Sequence, residues 1–339
     1  MRYVYAIIGG FIIVVGIAVG WMLLSVNHAT GSASQQVSFT VARGQQLRSV
    51  AVALQKDNLI SSAGAWTLYA LTQGKRSGIL VGDYVLDRGM TGRQILQTIS
   101  TQNAKDNEVM LTFKEGLTNK EIASSLETAG VVSASDFLAA VGVTDSRTVV
   151  AKDYTFLADK PASADLEGYL FPDTYRFFKK STAASVLQKF LDNFDQRVTP
   201  ALRQAAKAHG HTLYEELTMA SILEKELKTD TDRANGADVF WKRIDIGMPL
   251  QSDATVIFST GQSNINVSIA DTNTDSPYNT YQHKGLPPGP INNPGISSLR
   301  AAINPTSNPY YYYLTAPDGT TYFAKTLAEH NENKAKYLK

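Results

Sequence analysis

Two carboxylates, Glu224 and Glu226 in the run Ala220-Ser221-Ile222-Leu223-Glu224-Lys225-Glu226, are the residues best placed by type and spacing to do chemistry. Thr212-Leu213-Tyr214-Glu215 just upstream has the T-x-x-E form of a capping box, so a helix is predicted to start there. At about 100° per residue, Tyr214, Thr218, Ser221, Lys225 and Lys228 gather on one polar face. Leu213, Leu217, Met219, Ala220, Ile222, Leu223 and Leu227 cover the opposite side, and Glu224 and Glu226 fall near its two margins. Glu215 and Glu216 also lie there, but in the first turn, where a helix N-terminus favours negative charge. Burial disfavours the charged form of a carboxyl and raises its pKa, as a general acid near neutral pH requires. The same placement suits two structural carboxylates satisfied by buried Arg or backbone N–H groups, and spacing alone leaves both readings open.

The rest of the chain must position these groups. Its 339 residues allow two or three domains with a sizeable core, and a net charge of +1 gives no electrostatic footprint for nucleic acid or an anionic membrane surface. With no cysteine there is no disulfide, thiolate metal site or Cys nucleophile. His28, His209, His211, His283 and His330 make no H-x-x-x-H or H-E-x-x-H spacing, so no metal site is expected. No P-loop or G-x-G-x-x-G after a strand appears either, and no cofactor is expected.

Tyr3 to Val26 carries no charge, long enough as a helix to cross a hydrocarbon core of about 30 Å. Arg2 precedes it and the next charge is Arg43, so the N-terminus is expected in the cytoplasm and the remainder across the membrane. The expected organisation is a transmembrane anchor over 1–27, a small polar linker over 28–36, a module over 37–105 and a larger domain over 106–339 with its core at 165–339. The fold class is α+β. In the module, VSFTVARG reads as a strand, two helices follow near 47–54 and 63–71, GDYVLD is a second strand and 91–99 a closing helix. This βααβ order resembles a LysM-like module, a fold associated with N-acetylglucosamine polymers. Beyond it, 119–129 and 133–141 read as helices, 181–210 as helical, 239–246 as a helix ending at Gly247, and 249–258 as a loop into a strand or short helix. Ser297–Ile303 and Leu327–Leu338 read as helices, with strands at 310–315 and 320–324. The stretch LEGYLFPDTY is either a packed aromatic turn or a groove wall that stacks sugar rings, and the Gly- and Pro-rich loop SPYNTYQHKGLPPGPI has the rigidity of a site-lining loop.

LEGYLFPDTY, ASILEKE, RIDIGMPLQSDATVIF, SPYNTY, KGLPPGPINNPG and TYFAKTLAEHNENKAKYLK, in this order, resemble the YceG-like family of endolytic murein lytic transglycosylases. The resemblance implies a single-pass protein of the cytoplasmic membrane with its catalytic domain outside the cytoplasm. Its substrate would be peptidoglycan, cut at MurNAc–GlcNAc β-1,4 bonds within glycan strands to leave 1,6-anhydro-MurNAc ends, in company with peptidoglycan synthases of the elongation machinery. The catalytic glutamate of the family motif falls on Glu226. Glu224 is then a supporting group or a structural carboxylate paired with Arg233 or Arg243. Asn279 and Tyr281 are candidates for hydrogen bonding to sugar, and Asp253 for orienting substrate or capping the segment after it. Ala254 stands where many relatives carry Pro, a departure that removes no reactive group. The rival reading is a membrane-anchored glycan-binding or scaffolding protein that uses both glutamates structurally. A Ser276–His283 hydrolase lacks the G-x-S-x-G elbow.

Overall fold

The computed structural model describes residues 16–17, 19–31, 36–101, 108–142, 149–150, 152–261, 267–268 and 270–338. Most of the expected anchor, residues 1–15 and 18, and residues 32–35 of the expected linker lie outside them. Among the described residues no helix is long and apolar enough to cross a membrane. The chain divides into two compact units, Met1–Val109 with Arg176–Ser185, and Met110–Tyr175 with Val186–Lys339. The inclusion of 176–185 in the first unit has no signal in the sequence.

The first unit follows the expected β-α-α-β-α order. Helix α1 (19–27) leads into β1 (Gln36–Val41), α2 (Leu47–Lys56), α3 (Ala63–Thr72), β2 (Gly82–Asp87) and α4 (Gly92–Thr101). Strands β1 and β2 pair antiparallel with Phe39 opposite Tyr84. Alternation in β1 sends Phe39 and Val41 into a core shared with Leu54, Trp66, Leu86 and Ile99. The end of α1 belongs to that core: Met22 and Val26 are buried in it. Nor are residues 28–31 a free linker, since Ala29 bridges to Thr91 and Gly31 N–H donates to Arg88 O.

In the second unit, Thr118 closes a capping box on α5 (Asn119–Thr128) and Ser133 caps α6 (Ala134–Val141). Strand β3 (Glu108–Thr112), which enters this unit at Met110, pairs with β4 (Thr174–Phe178), which leaves it after Tyr175. The helical stretch expected over 181–210 is two helices, α7 (Ala183–Arg197) and α8 (Pro200–His209), because Pro200 fits only a first turn and Thr199 caps it. The aromatic turn is core rather than groove wall: Tyr169 and Leu170 are fully buried and Phe171 and Tyr175 nearly so. Tyr169 packs 5.3 Å from Phe194 and Tyr175 4.5 Å from Phe190, ring centre to ring centre, so the rings face α7 and present no stacking surface.

The central helix, α9 (Leu213–Glu226), begins at the expected capping box on Thr212. Its expected polar face is exposed only at its end, at Lys225 and Lys228, whereas Tyr214, Thr218 and Ser221 are buried. Ser221 Oγ accepts from Ile291 N–H, and Ser221 O accepts from the Asn292 side chain, so the loop before α12 (Ile296–Ile303) lies over that face. Small hydroxyls that bond within the helix or to an adjacent loop satisfy themselves without water, and periodicity cannot distinguish them from a solvated face. Glu216 is also buried, 2.7 Å from His209 Nδ1, and burial pushes its carboxyl up to about 7. Helix α10 (Asp230–Asp245) starts nine residues before the sequence pattern suggests, and α11 (Asp253–Thr260) resolves the strand-or-helix choice as a short helix. Strands β5 (Tyr312–Thr315) and β6 (Thr321–Ala324) form an antiparallel hairpin, and α13 (Leu327–Tyr337) closes the chain.

Asn293 ties this framework together from a buried position. Its Nδ2 donates to Leu117 O, Asn119 Oδ1 and Glu167 Oε1, and its Oδ1 accepts from Leu170 N–H at 2.7 Å. Gly168, at φ +89°, permits the close packing there; a Cβ on it would sit 2.7 Å from Pro290. Burial raises the Glu167 carboxyl to about 8. Asn293→Ala would leave several of these groups unpaired and is expected to cost about 2–4 kcal/mol of stability, read as a lower urea midpoint at unchanged slope.

Candidate active site

Glu226 is the last residue of α9 and Leu227 is already extended, so the carboxyl leaves the helix beside its C-terminal carbonyls. Two neutral hydroxyls hold it. Ser252 Oγ donates to Oε1 at 2.5 Å and Tyr313 Oη donates to Oε2 at 2.7 Å. Ser252 sits at the N-cap of α11 but makes no side-chain cap to its own helix; its hydroxyl is spent on Glu226. The Ala254 N–H, in the first turn of α11, also favours the charged form of the carboxylate. Desolvation raises the Glu226 pKa and nearby Asp253 adds to the rise, while the Ser252, Tyr313 and Ala254 donors oppose it. Among the described residues Glu226 forms no ion pair.

The donors are themselves braced. Arg243 is buried, with Nε donating to Tyr311 O at 2.8 Å and Nη1 to Leu250 O at 2.7 Å. Its guanidinium thus links the segment that carries Ser252 to the hairpin that carries Tyr313, and it lies 5.5 Å from the Tyr312 ring centre. Thr280 Oγ1 accepts from Ser252 N–H at 3.0 Å and bonds Thr255 Oγ1 at 2.9 Å, fixing the start of α11 from the facing loop.

The other sequence candidates separate by role. Glu224 points the opposite way from Glu226, as their 200° offset on the helix requires, and its partner is Arg233 rather than Arg243, at 2.7 Å. Its Oε2 also accepts from Gly295 N–H and Ser298 Oγ, so it fastens α9 to α10 and α12. Asn279 is fully buried and has no group left for a sugar. Its Nδ2 donates to Thr272 O and Thr274 O and its Oδ1 accepts from Tyr281 N–H, which makes it the staple of its own loop. Asp253 occupies the first turn of α11 rather than its cap, and its Oδ1 accepts from Tyr281 Oη at 2.6 Å. Tyr281 and Asp253 are therefore joined beside Glu226. His283 is exposed, and Ser276 Oγ accepts from Tyr278 N–H, an arrangement of no use to a nucleophilic serine. Sequence reasoning missed Ser252 and Tyr313. Ser252 stands beside Asp253, to which the sequence reading gives the capping role, and Tyr313 sits in a run of four tyrosines with nothing to single it out.

Glu224→Ala breaks a buried ion pair and is expected to cost about 3–5 kcal/mol in thermal or denaturant unfolding, with the pH dependence of the residual activity unchanged. A shifted pH profile at preserved stability would place Glu224 in the reaction instead.

The family model that matches this chain is that of the YceG-like family, over residues 39–336. The chain is 33% identical over 307 residues to an endolytic murein transglycosylase of Bacillus subtilis, covering 89% of this chain and 85% of that protein. It is 29% identical to an endolytic murein transglycosylase of Streptococcus pneumoniae, covering 94% of this chain and 61% of that longer relative. Among solved structures, a putative YceG-like protein of Listeria monocytogenes superposes with a TM-score of 0.58 at 28% identity, over 88% of this chain and 99% of that one. The chain belongs to the YceG-like family.

Proposed function

We propose that this protein is an endolytic murein transglycosylase that cuts MurNAc–GlcNAc β-1,4 bonds within peptidoglycan strands and leaves 1,6-anhydro-MurNAc ends, with Glu226 as the single general acid and base. The observation that carries the reading is the state of the Glu226 carboxyl: desolvated, shifted upward, and held by hydroxyls instead of a cation. A carboxyl of this kind keeps its proton at higher pH than a solvated one and can deliver it to a leaving oxygen.

Glu226 protonates the glycosidic oxygen as the C1–O bond breaks, and the GlcNAc side departs with a free 4-hydroxyl. The C6 hydroxyl of the same MurNAc closes on C1, an intramolecular attack that gains from effective concentrations on the order of 10⁵ M or more. The Glu226 carboxylate then takes the O6 proton and is ready for another cycle. Ser252, Tyr313 and the Ala254 N–H support the carboxylate in the interval when it is charged. The Asp253–Tyr281 pair, beside Glu226, is positioned to orient substrate.

The wider setting belongs to the same proposal. Residues 3–26 anchor the chain in the cytoplasmic membrane with the N-terminus inside, as their hydropathy and flanking charge support. The βααβ module is read as LysM-like from its element order, and association with peptidoglycan synthases rests on the family resemblance.

Glu226→Gln should lower formation of anhydro-muropeptides from purified sacculi by at least about 10²–10⁴-fold, with an unchanged melting temperature. Full activity in a folded Gln variant would remove Glu226 from the reaction and favour the glycan-binding reading. A second test uses pH. The acid must be protonated, so the rate falls as pH rises through the Glu226 pKa. Removing a donor in Ser252→Ala or Tyr313→Phe raises that pKa further, and the falling limb of the pH–rate profile should move to higher pH. Movement to lower pH would contradict the assigned role of these hydroxyls.

A further inference from the structure

Helix α3 is apolar on all sides, AGAWTLYALT, yet only one side of it is used. Ala65, Trp66, Tyr69 and Ala70 face the core, while Gly64, Leu68 and Leu71, at i, i+4 and i+7, form an outward stripe on which Leu68 is 48% and Leu71 44% exposed. A helix hydrophobic all round is ordinarily buried all round. Scattered surface leucines need no explanation, but this stripe has a particular neighbourhood. The chain carries no acidic residue from Asn58 to Gly82, and Lys75 and Arg76 follow the helix after Gln73 and Gly74.

The same module also grips the end of the uncharged N-terminal run. Met22 and Val26, one turn apart on α1, are buried in the module core. Ser61, just before α3, donates its hydroxyl to Ser25 O at 3.2 Å. Trp66 of α3 donates to Gly92 O at 2.8 Å, and Gly92 lies against both Trp66 and the Val26 backbone. The 24 residues from Tyr3 to Val26 would span about 36 Å as a helix, against a hydrocarbon core of about 30 Å. The excess of about 6 Å is roughly one turn, the length from Met22 to Val26. Trp21, 55% exposed on α1, then falls at the depth where indole rings are enriched.

We infer that the outward face of α3 rests on the surface of the bilayer, with Leu68 and Leu71 entering the headgroup–acyl boundary and Lys75 and Arg76 meeting anionic lipid headgroups. The occupant is lipid because the apolar run ends inside this module with no free linker to lift it away, and because the segment 58–82 that carries the stripe has cations and no acids. The inference rests on the reading of 3–26 as a membrane anchor. Its consequence is that the first unit is a fixed foot on the membrane and not a freely swinging module.

The absence of native cysteine allows a direct test in the full chain. Single-cysteine variants Leu68→Cys, Leu71→Cys and Val14→Cys, each labelled with an environment-sensitive fluorophore, are reconstituted into phosphatidylethanolamine–phosphatidylglycerol vesicles with or without brominated acyl chains. Blue-shifted emission and bromine quenching are expected at all three positions. Quenching at 68 and 71 should weaken when Lys75 and Arg76 are changed to Gln or when phosphatidylglycerol is omitted. Quenching at 14 with aqueous, unquenched emission at 68 and 71 overturns the lipid-contact inference and leaves the anchor standing. Quenching at 68 and 71 without quenching at 14 upholds the contact and removes the anchor. No quenching at any position removes both.

Discussion

The structure turns on how one carboxyl is kept from becoming an ordinary salt bridge. Glu226 lies between two helix ends of opposite sign: the C-terminus of α9, whose carbonyls disfavour a negative charge, and the N-terminus of α11, whose amides favour it. Desolvation adds to the first influence, and the Ser252 and Tyr313 hydroxyls add to the second. A cation within contact distance would settle the contest by holding the group ionised. Neutral donors leave it able to exist in both forms, which a residue that must give a proton and later take one requires.

Among the described residues the charges nearest Glu226 act on it without forming an ion pair. Arg243 acts on Glu226 through its charge without pairing with it, and its Nε and Nη1 donate to the Tyr311 and Leu250 carbonyls, so it braces the two segments that carry the hydroxyl donors. Arg233 is spent on Glu224, on the far side of the same helix. Two glutamates separated by one lysine therefore have different fates. One is fastened into the frame that joins α9, α10 and α12, and the other stands at the helix end, held by the Ser252 and Tyr313 hydroxyls. Asn279 and Thr280 carry the same logic into the facing loop, the first closing the loop on itself and the second holding the start of α11.

Much of the frame was legible where local chemistry decides structure. The capping boxes at Thr118 and Thr212, the alternation in β1, the hairpin around Pro317-Asp318-Gly319 and the closing helix all follow from short-range rules. The opposed directions of Glu224 and Glu226 were legible too, because helix geometry fixes them. What escaped was decided by distant packing. Thr218 and Ser221 look like a wet face but are buried, and Ser221 meets the loop at 291–292, 70 residues away in sequence for the Ile291 contact. Tyr169 to Tyr175 look like a sugar platform but face α7, and Asn279 looks like a ligand-binding amide but is consumed by its own loop. Tyr313 was invisible because a hydroxyl gains meaning only from the atom it meets. The apolar end of the N-terminal run gave no hint that Met22 and Val26 would become core residues of the first unit.

The central claim is that one carboxyl serves both proton transfers while the sugar supplies its own attacking oxygen, so that no water enters the product. Digestion of purified sacculi in water enriched in oxygen-18, followed by mass analysis of the released muropeptides, reads this directly. The account predicts anhydro-MurNAc ends that carry no heavy oxygen. Reducing ends labelled with oxygen-18 at the anomeric carbon would show that water is the nucleophile and would contradict it.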